Sequence, residues 1–381
     1  MERVVYIQSL GAFLPNEPVD NEHIESVLGM IGGIPSRTRK IILRNNGIKT
    51  RYYAIDPQTG KPTHTNAKLA AEAVKLAIKN AKTDVNSIDL LCCGTSNPDQ
   101  LMPNHAAMVH GELKIPPCEI VSTAGVCCSS IIALKYAWMA LQTGQSQRAV
   151  AVGSDSPSLG LKASRFPDSK RFAELEKDAS IGFEHDFLRW MLSDGAGAAV
   201  LGPERSPYGL SLRIDALHLW SYANELEPCM YCGASKNSDG SLTGWLQTEN
   251  LEECINKNVF NVGQDSKLLD AQINKVVQLA FHAFRNRYQF DLKSVNWLLP
   301  HYSSEYFKKK MLLSFNELGL PIREEQCFTN LVYKGNTGAA SIYIILEEFI
   351  ASGRAKPGDK ILCFIPESSR FSVAFMLLTV V

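Results

Sequence analysis

The stretch CCSSIIALKYAWMALQTGQSQRAVAVGSD, residues 127–155, decides how this chain folds, because its pattern occurs twice. The echo is NTGAASIYIILEEFIASGRAKPGDKILCFIPES, residues 336–368. Each begins with small residues and continues as an apolar helix. Each helix then meets a glycine suited to the left-handed position that ends helices. A polar turn follows and leads into an apolar strand, RAVAVG or KILCFI. Counting back 17 residues from Gly144 and from Gly353 lands on Cys127 and Asn336. A reactive residue and a polar one hold the same place at the start of matching helices.

A second echo lies ahead of each copy. TDVNSIDLLCCGTSNPD (residues 83–99) and QFDLKSVNWLLPHYSSE (residues 289–305) each follow an amphipathic helix, over 66–81 and about 268–287. Both end in a short apolar strand that runs into a polar loop. Two echoes in the same order predict an internal duplication. Strands alternating with helices predict parallel sheets covered on both faces. Between Ser130 and Leu141 only Lys135 is charged, and a helix apolar all round belongs in the core of a large protein. The expected fold class is α/β, a duplicated, five-layered α/β/α/β/α architecture with the two central helices in the middle. Its halves are 1–205 and 206–381, dividing near GPERSPYG at 202–209. A segment at about 156–190, rich in charge, reads as an insertion in the first half.

Composition sets the outer limits. The 381 residues are 45% hydrophobic and 20% charged with zero formal net charge. That length suits two domains or one large duplicated one. A neutral balance argues against nucleic acid as a partner. The start, MERVVYIQSL, reads as a strand and lacks the basic-then-apolar layout of a secretion signal. No apolar run reaches the roughly 18 residues that span a bilayer, so no membrane partner is expected. Ten cysteines without a signal indicate reduced thiols and a cytoplasmic location.

The helix start at Cys127 and Cys128 carries the chemistry. A cysteine in the first turn gains from the positive end of the helix dipole, which favours thiolate. The two thiols point about 100° apart around a helix, so one of the pair serves, and the register favours Cys127. Cys92, Cys93, Cys118, Cys254, Cys327 and Cys363 read as inert buried residues. A nucleophilic thiolate needs an acid–base partner and donors for a developing oxyanion. LLPHYSSE places His301 directly after an apolar strand, where loops of parallel sheets build sites. Taken alone, His301 reads equally well as a surface histidine. YKGNTGAAS places Asn336 at a tight glycine-containing turn, and a duplicated fold brings Cys127, His301 and Asn336 to one pseudo-symmetry axis. Cys229 and Cys232 form a C-x-x-C without the second pair that zinc needs, so they read as loop cysteines near the pocket mouth. GTSNP and GSDSP match no nucleophile elbow. Asp155 and Asp194 read as structural, holding loop amides.

On these residues the chain resembles the thiolase superfamily, and within it the type III β-ketoacyl-acyl-carrier-protein synthases, over nearly its whole length. NNGIKTRYYA (45–54), GTSNPDQLMPNHAAMVHGELKI (94–115), MLSDGAGAAVL (191–201), LLPH and GNTGAAS carry the resemblance. It implies a thiolase-like fold with Cys127 as the acylated nucleophile. His301 and Asn336 would stabilise the extender's carbonyl oxygen as an enolate forms, and the Cys127 amide would be one oxyanion donor. It implies no metal or bound cofactor, because the pantetheine arm belongs to substrates carried as coenzyme A or carrier-protein thioesters. Acyl carrier protein or acyl-CoA partners and a homodimer follow, with RAVAVG as the pairing edge. Lys308, Lys309 and Lys310 become candidates for docking an acidic carrier, with Arg165, Lys170 and Arg171 as weaker ones.

The chain also departs from that pattern. FIPESSRFSVAF (364–375) stands where the family has a glycine-rich turn that donates a second oxyanion amide, leaving Ser368 or Ser369 to supply it, with the Ser369 backbone preferred. SRFPDSKRFAELEKDASIGFEHDFLRW (164–190) has no counterpart in the generic initiating synthase. Together with SYANELEPCMYCG (221–233), these departures are similar to bacterial ketosynthase/cyclases that make dialkylresorcinols and hydroxystilbenes. Those enzymes join a β-ketoacyl thioester to an α,β-unsaturated acyl thioester and close a cyclohexanedione ring. The other readings are an initiating synthase of fatty-acid biosynthesis, an acyltransferase forming an ester or amide, and a non-catalytic partner subunit. The presence of all three site residues counts against the last.

Overall fold

The computed structural model of the chain describes residues 3–166 and 187–381. Lys170, Arg171 and most of the expected insertion lie outside the described residues. The first half runs β1 (Tyr6–Phe13), α1 (Asn66–Ala81), β2 (Leu90–Thr95), α2 (His105–Leu113), β3 (Glu119–Ala124), α3 (Ser129–Thr143), β4 (Ala149–Asp155) and β5 (Gly195–Gly202). The second runs β6 (Leu212–Ser221), α4 (Ser266–Tyr288), β7 (Val295–Pro300), α5 (Glu305–Glu317), α6 (Ser341–Ala351), β8 (Lys360–Glu367) and β9 (Ser372–Val380).

The strand order is β3-β2-β4-β5-β1, continuing through β6-β9-β8-β7. Read outward from the β1–β6 seam, the second run repeats the first. The counterpart of β3 is a single parallel bridge between Leu298 and Cys327. Only two residue pairs, Tyr6 with Arg213 and Ile7 with Leu212, join β1 to β6. The duplication read from the two echoes is therefore visible in the topology.

Local sequence explains the elements. The Thr65 side chain accepts the Lys68 N–H to cap α1, whose bounds are those expected from its periodicity. Gly144, at φ 78°, ends α3 in the left-handed region. In the second copy the helix cap falls on Ser352, with Gly353 following at φ 70°. Apolar residues of α3 (Ile131, Leu134) and α6 (Ile342, Leu346) meet in the middle layer. Val74 and Val109 cover one outer face, and Phe281, Phe284 and Phe315 cover the other. The layers are in close contact: a Cβ on Gly153 of β4 would lie 2.3 Å from the Ala339 carbonyl oxygen. Only glycine allows that approach.

Three expectations are corrected here. The sheet is mixed: β2 runs parallel to β3 and β4, but β4–β5, β5–β1, β8–β9 and β9–β6 are antiparallel. The reason is that β9 follows β8 through a short turn at 368–371, which cannot cross over to give a parallel neighbour. RAVAVG forms β4, paired on both sides by β2 and β5, so it cannot be a pairing edge; β3 is the open edge of that half. The central helix α3 is not covered all round either, since Ile132 and Met139 are 38% and 44% exposed. Among the described residues no helix is long and apolar enough to cross a membrane.

Candidate active site

Cys127, His301 and Asn336 line one cavity of about 590 Å³. Each arrives on a different element: the loop between β3 and α3, the end of β7, and the turn that leads into α6.

Helix α3 begins at Ser129 with Cys128 as its capping residue, so Cys127 precedes the helix rather than occupying its first turn. Cys128 is 1% exposed in the middle-layer core, and its thiol donates to the Ile365 carbonyl at 3.4 Å. Cys127 faces the cavity instead. The thiolate expected from the helix dipole is not favoured in the free site. Burial pushes the Cys127 thiol well above its ordinary value, and the carboxyl groups of Glu367 and Asp155 add to the effect.

Glu367, the last residue of β8, was passed over in the sequence. Its Oε2 accepts the N–H groups of Val126 at 3.0 Å and Cys128 at 2.8 Å. Its Oε1 accepts the Ser369 hydroxyl at 2.6 Å. Between the two bonded amides, the Cys127 N–H has no hydrogen-bond partner in any other described residue and faces its own thiol. The available signal was a lone carboxylate ending an otherwise apolar strand, FIPESSRF, where the resemblance led to glycines.

His301 is 4% exposed, and its N–H donates to the Phe364 carbonyl at 2.8 Å. Desolvation pushes its imidazole down to about 4, so the ring is neutral near pH 7. Asn336 is strapped to the first half: its N–H donates to the Met191 carbonyl at 2.9 Å, and its own carbonyl accepts the Ser193 N–H at 2.8 Å. The side-chain Oδ1 accepts the Gly338 N–H at 2.9 Å, which leaves Nδ2 to donate towards the cavity.

Two buried carboxyl groups frame the site, both in the structural role read from the sequence. Asp155 accepts the N–H groups of Ser96 at 2.8 Å and Ala339 at 2.7 Å, and the Thr95 hydroxyl at 3.1 Å. Asp194 accepts the N–H groups of Ala54 at 2.6 Å and Ser158 at 2.9 Å. Burial pushes each carboxyl up to about 6 against these bonds. Gly338 is required where it stands: its φ is +55°, and a Cβ there would lie 2.0 Å from Asp155 Oδ2.

The cavity wall is largely apolar. Leu269, Ile273 and Val277 present one stripe of α4, and Phe307, Met311 and Ser314 one stripe of α5. Ser368 and Ser369 also line it, and the Ser369 carbonyl accepts the Cys229 N–H at 2.8 Å. Neither C-x-x-C cysteine is in a disulfide. Cys232 lines the cavity, while Cys229 is buried with its thiol donating to the Asp265 carbonyl at 3.2 Å. Among the described residues no group of three or more His, Cys, Asp or Glu side chains could hold a metal ion. Of the three lysines proposed for docking, Lys308 pairs with Glu324 at 2.9 Å and Lys310 with Asp270 at 2.7 Å. Lys309 is exposed and has no ion pair among the described residues.

Known proteins share this fold and part of this sequence. Residues 286–364 match the family described as 3-oxoacyl-[acyl-carrier-protein] synthase III, C terminal. The β-ketoacyl-[acyl-carrier-protein] synthase III of Actinobacillus succinogenes is 24% identical over 356 residues, which is 93% of this chain and 93% of that protein. AbyA1, a tetronic acid condensing enzyme, superposes with a TM-score of 0.75 at 24% identity, covering 98% of this chain and 99% of the other. OleA of Xanthomonas campestris, solved with bound lauric acid and lauroyl-CoA, gives a TM-score of 0.71 at 19% identity, with both chains covered completely (100%). These structural likenesses show the fold.

Proposed function

We propose that this chain, whose residues 286–364 match the synthase III C-terminal family, is a condensing acyltransferase of the thiolase type working through Cys127. The observation that carries this reading is the convergence of Cys127, His301 and Asn336 on one cavity, with the donors left open there. In the first step the Cys127 Sγ bonds to the thioester carbonyl carbon and the carbon–sulfur bond to the carrier breaks. The thiol proton ends on the departing carrier thiol. The developing oxyanion takes the Cys127 N–H, with the Ser369 N–H as the second donor. In the second step a second thioester enters: a β-ketoacyl thioester gives up an α-proton, which ends on the departing Cys127 sulfur, whereas a malonyl thioester gives up carbon dioxide and the Cys127 sulfur takes its proton from water. The resulting enolate oxygen is held by the neutral His301 ring and Asn336 Nδ2. Its carbon attacks the acyl-enzyme, and Cys127 leaves as the thiol.

The finer reading is a ketosynthase/cyclase, in which a further intramolecular attack closes a cyclohexanedione ring as a dialkylresorcinol or stilbene precursor. The hairpin turn with Glu367 in place of glycines supports a specialised branch, and the apolar stripes of α4 and α5 support acyl chains as the cargo. An initiating synthase is the second reading, favoured by the synthase III match. Coenzyme A or a carrier protein would deliver the thioesters, with Lys309 the docking lysine left free of local acids. The open edge of β3 and the exposed Ile132 and Met139 support a homodimer paired along that strand.

The test is intact-mass analysis after incubation with a panel of acyl thioesters, for wild type, Cys127→Ala and Cys128→Ala. An acyl adduct lost only in Cys127→Ala is expected. Loss only in Cys128→Ala, or no adduct with any thioester, overturns the reading. Turnover of β-ketoacyl rather than malonyl thioesters then separates the cyclase from the initiating synthase.

A further inference from the structure

Glu367 does more than end a strand. Its carboxylate accepts three hydrogen bonds from three places: the residue before Cys127, the residue after it, and the hairpin turn carrying Ser369. It is 7% exposed and sits between Pro366 and Ser368, both of which line the cavity. One acceptor thus fixes both loops that supply the candidate oxyanion amides, and it leaves the Cys127 N–H without a partner in another residue between two bonded neighbours. We propose that Glu367 is the positioning residue of the nucleophile: it holds the residues on both sides of Cys127, aims the Cys127 amide into the cavity and sets a carboxyl group beside the thiol. This rests on the reading above only in taking Cys127 as the acylated residue.

The charge argument is set by the surroundings of the thiol. The groups facing Cys127 are Glu367 at the end of β8, Asp155 at the end of β4, the neighbouring Cys128, and His301 at the end of β7. None is a cation: two are carboxyl groups, one is a buried thiol, and His301 is neutral near pH 7. A second anion at Sγ beside Glu367 is disfavoured in the empty site. Acyl transfer needs no lasting thiolate, because the proton leaving Sγ is taken up by the departing carrier thiol as the new carbon–sulfur bond forms. The arrangement exchanges intrinsic acidity for a fixed geometry.

Glu367→Gln separates the two roles. Its amide oxygen can accept both backbone N–H groups while its NH₂ donates to the Ser369 hydroxyl, so the shape is kept and the charge removed. Glu367→Ala removes both. The probe is iodoacetamide, with alkylation of Cys127 read by peptide mass across pH. In Glu367→Gln the alkylation midpoint is expected to fall by a pH unit or more towards the ordinary thiol value of about 8.5. In Glu367→Ala the rate of acylation by an acyl-CoA is expected to fall about 100-fold, as displaced reacting groups cost elsewhere, despite a more acidic thiol. An unchanged midpoint in Glu367→Gln overturns the charge role, and wild-type acylation in Glu367→Ala overturns the positioning role. Should Glu367→Ala fail to fold, Ser369→Ala, which removes the carboxylate's hold on the hairpin turn, carries the positioning test by the same rate. A shifted midpoint in a protein that no thioester acylates would sink the condensing-enzyme reading and leave the control of the thiol standing.

Discussion

Val277→Trp should shorten the longest acyl group that Cys127 accepts by about four carbons. Both helices that wall the cavity start at the site. Asp265, just before α4, donates its N–H to the Cys229 carbonyl beside the Ser369 turn, and Tyr302 and Ser303, just before α5, line the cavity. The lining stripes Leu269–Ile273–Val277 and Phe307–Met311–Ser314 therefore lead away from the thiol. At a rise of ~1.5 Å per residue, the eight steps from Leu269 to Val277 span about 12 Å and the last turn about 6 Å. An alkyl chain advances a little over 1 Å per carbon for bonds of ~1.5 Å, so the last turn corresponds to four or five carbons. Each buried methylene contributes about 0.8 kcal/mol, or roughly fourfold in acylation efficiency. Four lost methylenes therefore cost the long chains on the order of 200-fold, while butyryl transfer is unaffected. The assay is competition among butyryl- to tetradecanoyl-CoA, read as the ratio of acyl-enzyme masses. A wild-type chain-length profile in the variant would refute the placement of the acyl chain. So would an equal loss at every length.

Two further outcomes follow from the buried groups. With its imidazole pushed down to about 4 by burial, His301 stays neutral from pH 5 to 8. The condensation rate should then show no inflection near the ordinary histidine value of about 6.5, a pH–rate profile being the check. Asp155 and Asp194 hold their protons up to about 6, above the 3.8 of an unfolded aspartate, so the folded state binds more protons between those values and stability falls as pH rises through that window. Asp155→Asn should flatten that fall by roughly 3 kcal/mol between pH 4 and 6, measured by urea unfolding, and it should lower stability near pH 4, where the Ala339 N–H loses its acceptor. An identical pH slope in the variant would count against the burial argument.

The fold was legible because duplication leaves a pattern that a single copy cannot. The helix bounds of α1 are legible in its periodicity, and the central helices and the register of Cys127 against Asn336 in the echoes. The same register favours Cys127 over Cys128, and the structure sets the residue before the cap on the cavity wall and the cap residue in the core. Pairing partners were not legible: RAVAVG is apolar whether it lies at an edge or in the centre, and only its neighbours decide. The exposed stripe of Ile132 and Met139 was equally hidden, because an apolar helix looks the same with or without a missing cover. Glu367 escaped for another reason. Its partners are 239 and 241 residues away, so no local spacing marks it. The state of the thiol is hidden with it, because the helix dipole is readable beside Cys127 while the burial and the carboxyl groups that oppose it are not.

Asp155 grips Ser96 of the first half and Ala339 of the second with one buried carboxyl group. Asn336 is fastened across the same seam by two backbone bonds. Ties of this kind oppose any parting of the two sides to admit a second substrate beside the first. For the chemistry proposed above, the consequence is kinetic. Both substrates must use one mouth in turn, and the first carrier must depart before the second arrives. Double-reciprocal plots at several fixed concentrations of the second thioester should run parallel, and either thioester in excess should inhibit by occupying the enzyme form meant for the other.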